Sequence, residues 1–340
     1  MNTIVWFRIG FLSITPYGLC IALALAGMYV LSTRTLRYFR TRTAAFQPLD
    51  CMLWSIPCGF LCAKLCHWVF SFGEYSFGEA LAFWRGGYAM FGAWMGFALG
   101  SALYARRNKL RFLDLMDCFA PSLALFVFLE RLAEAFTDQG YGKEIDTVFL
   151  RRTLFSMTDV YGSARHAVYR LEALSALIAL AAVLWFFRAS VRRKFRIRGE
   201  AIRLTLLLIA APQVIWESMR DDGYLAYGFV RISQVVCLAC VLCLAAYYLL
   251  KLLPIRNLRK FLGISLGMLA LCTAITVRQE FAVDTDQNLE WNYLIMLFAM
   301  GGTTYIIFRL RRLWTDQALK TRKARAAARQ RTASISSTPA

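Results

Sequence analysis

Hydrophobic residues in this chain run in long blocks, not in the period-two alternation of a half-buried strand or the narrow stripe of a soluble amphipathic helix. A membrane span needs roughly 20 predominantly apolar residues. Nine blocks approach that length and predict helices over Ile14–Leu31, Leu49–Phe70, Tyr88–Tyr104, Leu113–Phe136, His166–Phe187, Leu204–Met219, Ile232–Leu250, Phe261–Val277 and Asn292–Phe308. The sixth block is short for a crossing.

The polar residues between the blocks set an orientation. A basic cluster follows every second block: Arg34, Arg37, Arg40 and Arg42; Arg106, Arg107, Lys109 and Arg111; Arg188 through Arg203; Lys251, Arg256, Arg259 and Lys260; and Arg309 through Arg331. Acids concentrate in the intervening gaps, among them Glu74, Glu79, Glu144, Asp146, Asp159, Asp221, Asp222, Asp284 and Asp286. Such alternation is the positive-inside pattern of a helical membrane protein. The predicted fold class is all-α, a polytopic helical membrane protein of about nine transmembrane helices, with the N-terminus out and the C-terminus in. The first block has no small-residue cleavage site and no basic run before it beyond Arg8, so no cleavable signal peptide is expected.

Composition sharpens this reading. The 340 residues are 59% hydrophobic with mean hydropathy +0.48, against about half apolar in ordinary globular domains. The formal charge of +19 is mostly topogenic, each basic residue gaining ~1 kcal/mol beside an anionic leaflet. The tail after Trp314, with Lys320, Arg322, Lys323, Arg325, Arg329 and Arg331, reads as a helical extension that frays. No nucleic-acid partner is expected. Ten cysteines raise the question of metal. Cys58, Cys62 and Cys66 share one helix face, and Cys237, Cys240 and Cys243 approximately another, where they serve as small packing groups. With only two histidines, His67 and His166, a zinc set is not assembled, and no metal or cofactor is expected.

Candidate chemistry lies in the ionisable residues within or at the rim of the apolar blocks, where a central arginine costs at least ~2.5 kcal/mol. Lys64 sits in the second block; Glu130, Arg131 and Glu134 in the fourth; Arg165, His166, Arg170 and Glu172 open the fifth; Glu217 and Arg220 close the sixth. By the predicted topology all lie toward the extracytoplasmic side. Each alone is as well explained by a structural ion pair; the set is best explained by one outward-opening polar cavity.

At these residues the chain resembles the prolipoprotein diacylglyceryl transferases of bacterial inner membranes. The similarity starts at Ile14-Thr15-Pro16-Tyr17-Gly18-Leu19 and continues through Gly86-Gly87-Tyr88-Ala89-Met90-Phe91-Gly92-Ala93. It includes Arg106 to Leu110, Leu113 to Asp117, Glu130-Arg131-Leu132-Ala133-Glu134-Ala135 and Tyr141-Gly142. Arg165-His166-Ala167, Leu171-Glu172-Ala173, Gln213 to Arg220 and Ser233-Gln234 complete it, over roughly residues 10 to 250. The chain departs from the family pattern at Phe91 (histidine), Glu134 (asparagine), Leu171 (tyrosine) and Gln213 (arginine).

The resemblance implies a diacylglyceryl-transferase-like membrane domain over 1–250, two additional helices over 251–314 and a basic cytoplasmic tail over 315–340. It implies transfer of diacylglycerol from phosphatidylglycerol to the thiol of a lipobox cysteine in a prolipoprotein. Arg131 would clamp the phosphate, assisted by Arg165 or Arg220, because a guanidinium fork matches phosphate oxygens. His166, Glu172 or Glu217 would orient groups or accept a proton, and Tyr17, Gly86, Gly87, Gly92 and Gly142 would line the substrate site. The alternative is a catalytically degenerate homologue that binds an anionic lipid or a lipidated partner. No internal repeat of the transporter kind is visible.

Overall fold

The structure is a computed structural model and describes residues 6–9, 12–37, 47–71, 78, 86–137, 139–145, 151–158, 162–192, 197–285 and 289–336. Glu74, Glu79, Asp146, Asp159, Asp286, Arg40, Arg42, Arg193, Lys194 and Arg196 lie outside the described residues.

Nine long helices are present among the described residues: α1 (Pro16–Leu36), α2 (Pro48–Phe70), α3 (Met90–Arg107), α4 (Phe112–Ala133), α5 (Val168–Arg192), α6 (Glu200–Met219), α7 (Ile232–Leu252), α8 (Arg259–Asp284) and α9 (Leu289–Ser336). Eight are long and apolar enough to cross a membrane. The other, α3, has 18 residues and ends on Arg106 and Arg107, which lower its mean hydropathy. The chain is an all-α polytopic membrane protein. Polarity is reversed relative to a soluble fold. Ser32, Ser55, Ser101, Asp117, Ser122 and Thr205 are buried, whereas Leu23, Leu53, Met95, Ile178 and Trp185 are exposed. In lipid that arrangement is favourable, because hydrocarbon solvates Leu and Trp while the interior satisfies polar groups.

Two compact units divide at Cys240/Val241, inside α7. In the first, α4 is the central helix and packs on α1, α3, α5 and α6, while α2 packs on α3. The α2–α3 contact is set by Gly92, Gly96 and Gly100, one per turn along α3. A Cβ at Gly92 would lie 2.7 Å from the Cys62 carbonyl, and one at Gly100 2.6 Å from Cα of Ser55. Cys58, Cys62 and Cys66 lie along the facing stripe of α2. In the second unit α8 packs on α9. The helical extension beyond Trp314 continues without a break to Ser336.

Caps explain where helices begin. Thr15 caps α1, its Oγ1 accepting from the Gly18 amide at 3.1 Å. The start of α6 is capped from afar: the buried Asp117 carboxylate of α4 accepts from the amides of Gly199 (2.7 Å), Ala201 (3.0 Å) and Ile202 (3.1 Å). A carboxylate at a helix N-terminus satisfies otherwise orphaned donors and complements the dipole. The helix therefore starts at Glu200, four residues before the apolar block does.

Short strands join the helices at the opposite end of this unit. β1 (Phe7–Ile9) pairs antiparallel with β2 (Leu12–Ile14). Between α4 and α5, a three-stranded antiparallel sheet places β5 (Ala164–Ala167) between β3 (Tyr141–Glu144) and β4 (Ser156–Thr158). β6 (Ala226–Tyr227) and β7 (Val230–Arg231) form a hairpin before α7. Arg165 and His166 therefore lie on a strand ahead of α5, not in the fifth helix: the β5 ladder takes their backbone groups before the helix begins.

Candidate active site

The helices alternate in direction, so the start of α1, end of α2, start of α3, end of α4, start of α5, end of α6 and start of α7 share one end of the first unit. There the last turn of α4 presents Glu130 and Arg131, and a 3₁₀ turn over Glu134–Phe136 carries Glu134 back toward them. Glu172 comes from the first turns of α5, Glu217 from the last turn of α6, and Arg220 follows as its C-cap.

These side chains form one buried ion-pair network. Arg131 NH1 donates to Glu134 Oε1 at 2.5 Å, and its Nε lies 3.4 Å from both Glu130 Oε2 and Glu172 Oε2. Arg220 NH2 donates to Glu134 Oε2 at 2.6 Å, its NH1 to Glu172 at 3.2 Å, and its Nε to Asp222 Oδ2 at 3.1 Å. Arg231 Nε donates to Glu217 Oε2 at 2.8 Å and its NH1 to Asp222 Oδ1 at 2.5 Å. Gln213 donates its amide to Glu172 Oε1 (2.6 Å) and Glu217 Oε1 (3.0 Å). Glu172 is 1% and Arg131 6% exposed. Charges buried to this degree persist only when paired and hydrogen-bonded. At Arg220, outside the helix, burial alone would favour the neutral form, but Glu134, Glu172, Glu217 and Asp222 outweigh it and raise the pKa well above the ordinary value.

Of the predicted residues, Glu130, Arg131, Glu134, Glu172, Glu217 and Arg220 meet in this network. Tyr17, half-buried at the start of α1, lies within electrostatic reach of Glu130, Glu134, Arg131 and Tyr224. Gly142 touches the network through backbone: it bridges to Arg220, and a Cβ there would come 2.6 Å from the Met219 carbonyl. Arg165 and His166 stand apart on β5. Arg165 pairs with Asp221 at 2.7 Å and Glu144 at 3.6 Å, toward solvent. Arg170 donates to the Leu154 carbonyl at 2.6 Å. Lys64 donates to the Gly86 carbonyl.

Asp222, Arg231 and the His67–Tyr224 pair escaped sequence reasoning. Asp222 and Arg231 sit beyond the apolar block, where a charge raises no insertion cost and draws no notice. Tyr224 stacks on His67, centroids 5.4 Å apart and rings 7° from parallel, with its hydroxyl 3.0 Å from Nδ1. The other face of the problem is Gly87: at φ +72°, a Cβ there would lie 2.6 Å from His67 Nε2. Gly86-Gly87 thus brings bare backbone against a buried imidazole. The signal available was the spacing of Lys64 and His67, one turn apart near the end of an otherwise apolar helix.

A family model described as prolipoprotein diacylglyceryl transferase matches residues 4–250. The chain belongs to this family. Among curated relatives, the phosphatidylglycerol–prolipoprotein diacylglyceryl transferase of Streptococcus pneumoniae serotype 4 is 30% identical over 236 residues, covering 67% of this chain and 86% of the relative. The protein of the same name from Bacillus licheniformis is 25% identical over 263 residues, 75% of this chain and 94% of the relative. The family match takes in α1 to α6 and nearly all of α7; α8 and α9 lie beyond it.

Proposed function

We propose that this chain transfers diacylglycerol from phosphatidylglycerol to the lipobox cysteine of a prolipoprotein, at the outer face of a bacterial inner membrane. The observation that carries the reading is the convergence of Arg131 and Arg220, from the ends of two different helices, onto a single carboxylate. Two guanidiniums aimed at one anion form a clamp of the kind a headgroup phosphate needs. The names of the relatives supply the reaction; the clamp supplies a place for its phosphate.

In this reading Arg131 and Arg220 hold the phosphate and stabilise charge as the phosphate oxygen departs. Glu172 orients both guanidiniums, and Gln213 bridges it to Glu217, which holds Arg231. The cysteine thiol loses its proton to an imidazole, and the thiolate attacks the glycerol carbon bearing the phosphate. The carbon–oxygen bond breaks, a thioether forms, and the proton passes to the departing glycerol phosphate. His67 and His166 are the two imidazoles available. Tyr17, Gly86 and Gly87 line the approach, whereas Gly92, expected there, packs α3 against α2. Residues 1–250 make up the transferase domain, with 251–314 and 315–340 as additions.

A strain lacking its own transferase, supplied with this chain and a reporter prolipoprotein, is expected to produce reporter heavier by one diacylglyceryl group in the mass spectrum. Arg131→Lys keeps the charge but loses the fork, and is expected to abolish that product while still accumulating in the membrane. His67→Gln and His166→Gln, made separately, identify the proton acceptor. Absence of lipidated reporter with the wild-type chain would favour the alternative, a homologue that binds lipid without turnover.

A further inference from the structure

Glu134 holds an unusual position. Its two oxygens accept from different guanidiniums, Oε1 from Arg131 NH1 at 2.5 Å and Oε2 from Arg220 NH2 at 2.6 Å. It is 5% exposed, and Gly140 leaves it room: a Cβ there would come 2.5 Å from Oε2.

The network does not need this carboxylate to neutralise its arginines. Among the described residues it joins five carboxyls (Glu130, Glu134, Glu172, Glu217 and Asp222) to three guanidiniums (Arg131, Arg220 and Arg231). Without Glu134, Arg131 keeps Glu130 and Glu172, Arg220 keeps Glu172 and Asp222, and Arg231 keeps Glu217 and Asp222. Glu134 is thus a surplus monoanion with two terminal oxygens, seated where two cationic forks converge. A phosphodiester is also a monoanion with two terminal oxygens, and guanidinium forks accept either group.

We propose that Glu134 is an internal anion occupying the headgroup-phosphate position, so that a phosphodiester lipid binds only by displacing it. The proposal rests on the transferase reading above for the identity of that ligand. Adding the phosphate with Glu134 in place would put one more negative charge into a buried, already acid-rich network. Displacing Glu134 leaves the charge of the clamp unchanged. The carboxylate sits on the 3₁₀ turn after α4, not within the helix, so it can leave without unwinding α4.

The test uses the full chain in phosphatidylcholine nanodiscs and soluble dihexanoyl phosphatidylglycerol as the probe. Glu134→Gln keeps the size and removes the charge. It is expected to bind the probe at least tenfold more tightly than wild type, and to lower KM in the reporter assay. Equal or weaker binding by the folded variant would overturn the proposal. Glu134→Asn, also uncharged, is the second variant. If neither accumulates as folded protein, the carboxylate is needed to hold the arginines and the proposal fails. Tightened binding without lipidation by any form of the chain would instead remove the transferase reading and leave the internal anion standing.

Discussion

Asp222 ties the loop after α6 into the network, with one oxygen on Arg220 and the other on Arg231. Burial alone would raise its carboxyl, but the two guanidiniums outweigh that effect and hold it below the usual carboxylate range. The unfolded value is about 3.9, so the folded form is the more acidic one. Its stabilisation is therefore complete above the unfolded value and is lost as pH falls through the lower, folded value. Asp222→Asn is expected to destabilise the protein at pH 7 by about 1.5–3 kcal/mol, the worth of hydrogen bonds to charged groups. Both arginines retain other carboxylates, which limits the loss. In detergent, the gap in unfolding temperature between variant and wild type should close as the pH is lowered below about 3.9; a constant gap would show that Asp222 acts by shape and not by charge. This residue also marks a limit of the sequence reading. Glu130, Arg131, Glu172 and Glu217 stand out because apolar neighbours make a charge there expensive. Asp222 sits in a polar loop and Arg231 on the short strand β7, and nothing local signals that the fold buries them. The spacing of charges picked these residues out; it could not show that Glu134 bridges Arg131 and Arg220.

At the scale of elements, the helices were legible and their ends were not. Apolar blocks placed all nine, but α6 starts early because Asp117, some eighty residues upstream, supplies its cap. The fifth block ran through His166 because a short strand of Ala, Arg and His carries no period of its own. The α2–α3 pair rests on a different feature, the glycine stripe along α3. At Gly96 an added Cβ would meet Cα of Gly59 at 2.7 Å and the backbone of Cys58. Backbone cannot move aside as a flexible side chain can. Gly96→Val is therefore expected to cost at least the ~1–3 kcal/mol of an overpacked core and to lower the unfolding temperature in detergent. Leu99→Val on the exposed face of α3 is the control and should change little. Because Gly86 and Gly87 precede α3, separating α2 from α3 should also loosen His67 from Gly87 and reduce lipid transfer.

At the scale of the whole molecule, orientation follows from where charge collects. Within the first unit, Arg34 ends α1, Arg106 and Arg107 end α3, Lys109 and Arg111 lie in the turn to α4, and Arg188 lies in the last turns of α5. All of these belong to the end away from the ion-pair network. In the second unit α9 runs 48 residues, about 72 Å at 1.5 Å per residue, against a hydrocarbon core of about 30 Å. Its apolar part ends at Phe308, and Arg309, Arg311 and Arg312 follow directly, so the basic continuation extends past the core on one side. With basic residues retained in the cytoplasm, the expected orientation turns the network outward. Reporter tags inserted after Tyr104 or after Phe187 are expected to read cytoplasmic, and tags beside Glu74 or Glu144 extracytoplasmic. The Glu144 tag is decisive, because Glu144 pairs with Arg165 on the same sheet whose β3 meets Arg220. A cytoplasmic Glu144 would place the arginine clamp on the inner face, where a prolipoprotein emerging from translocation could not reach it.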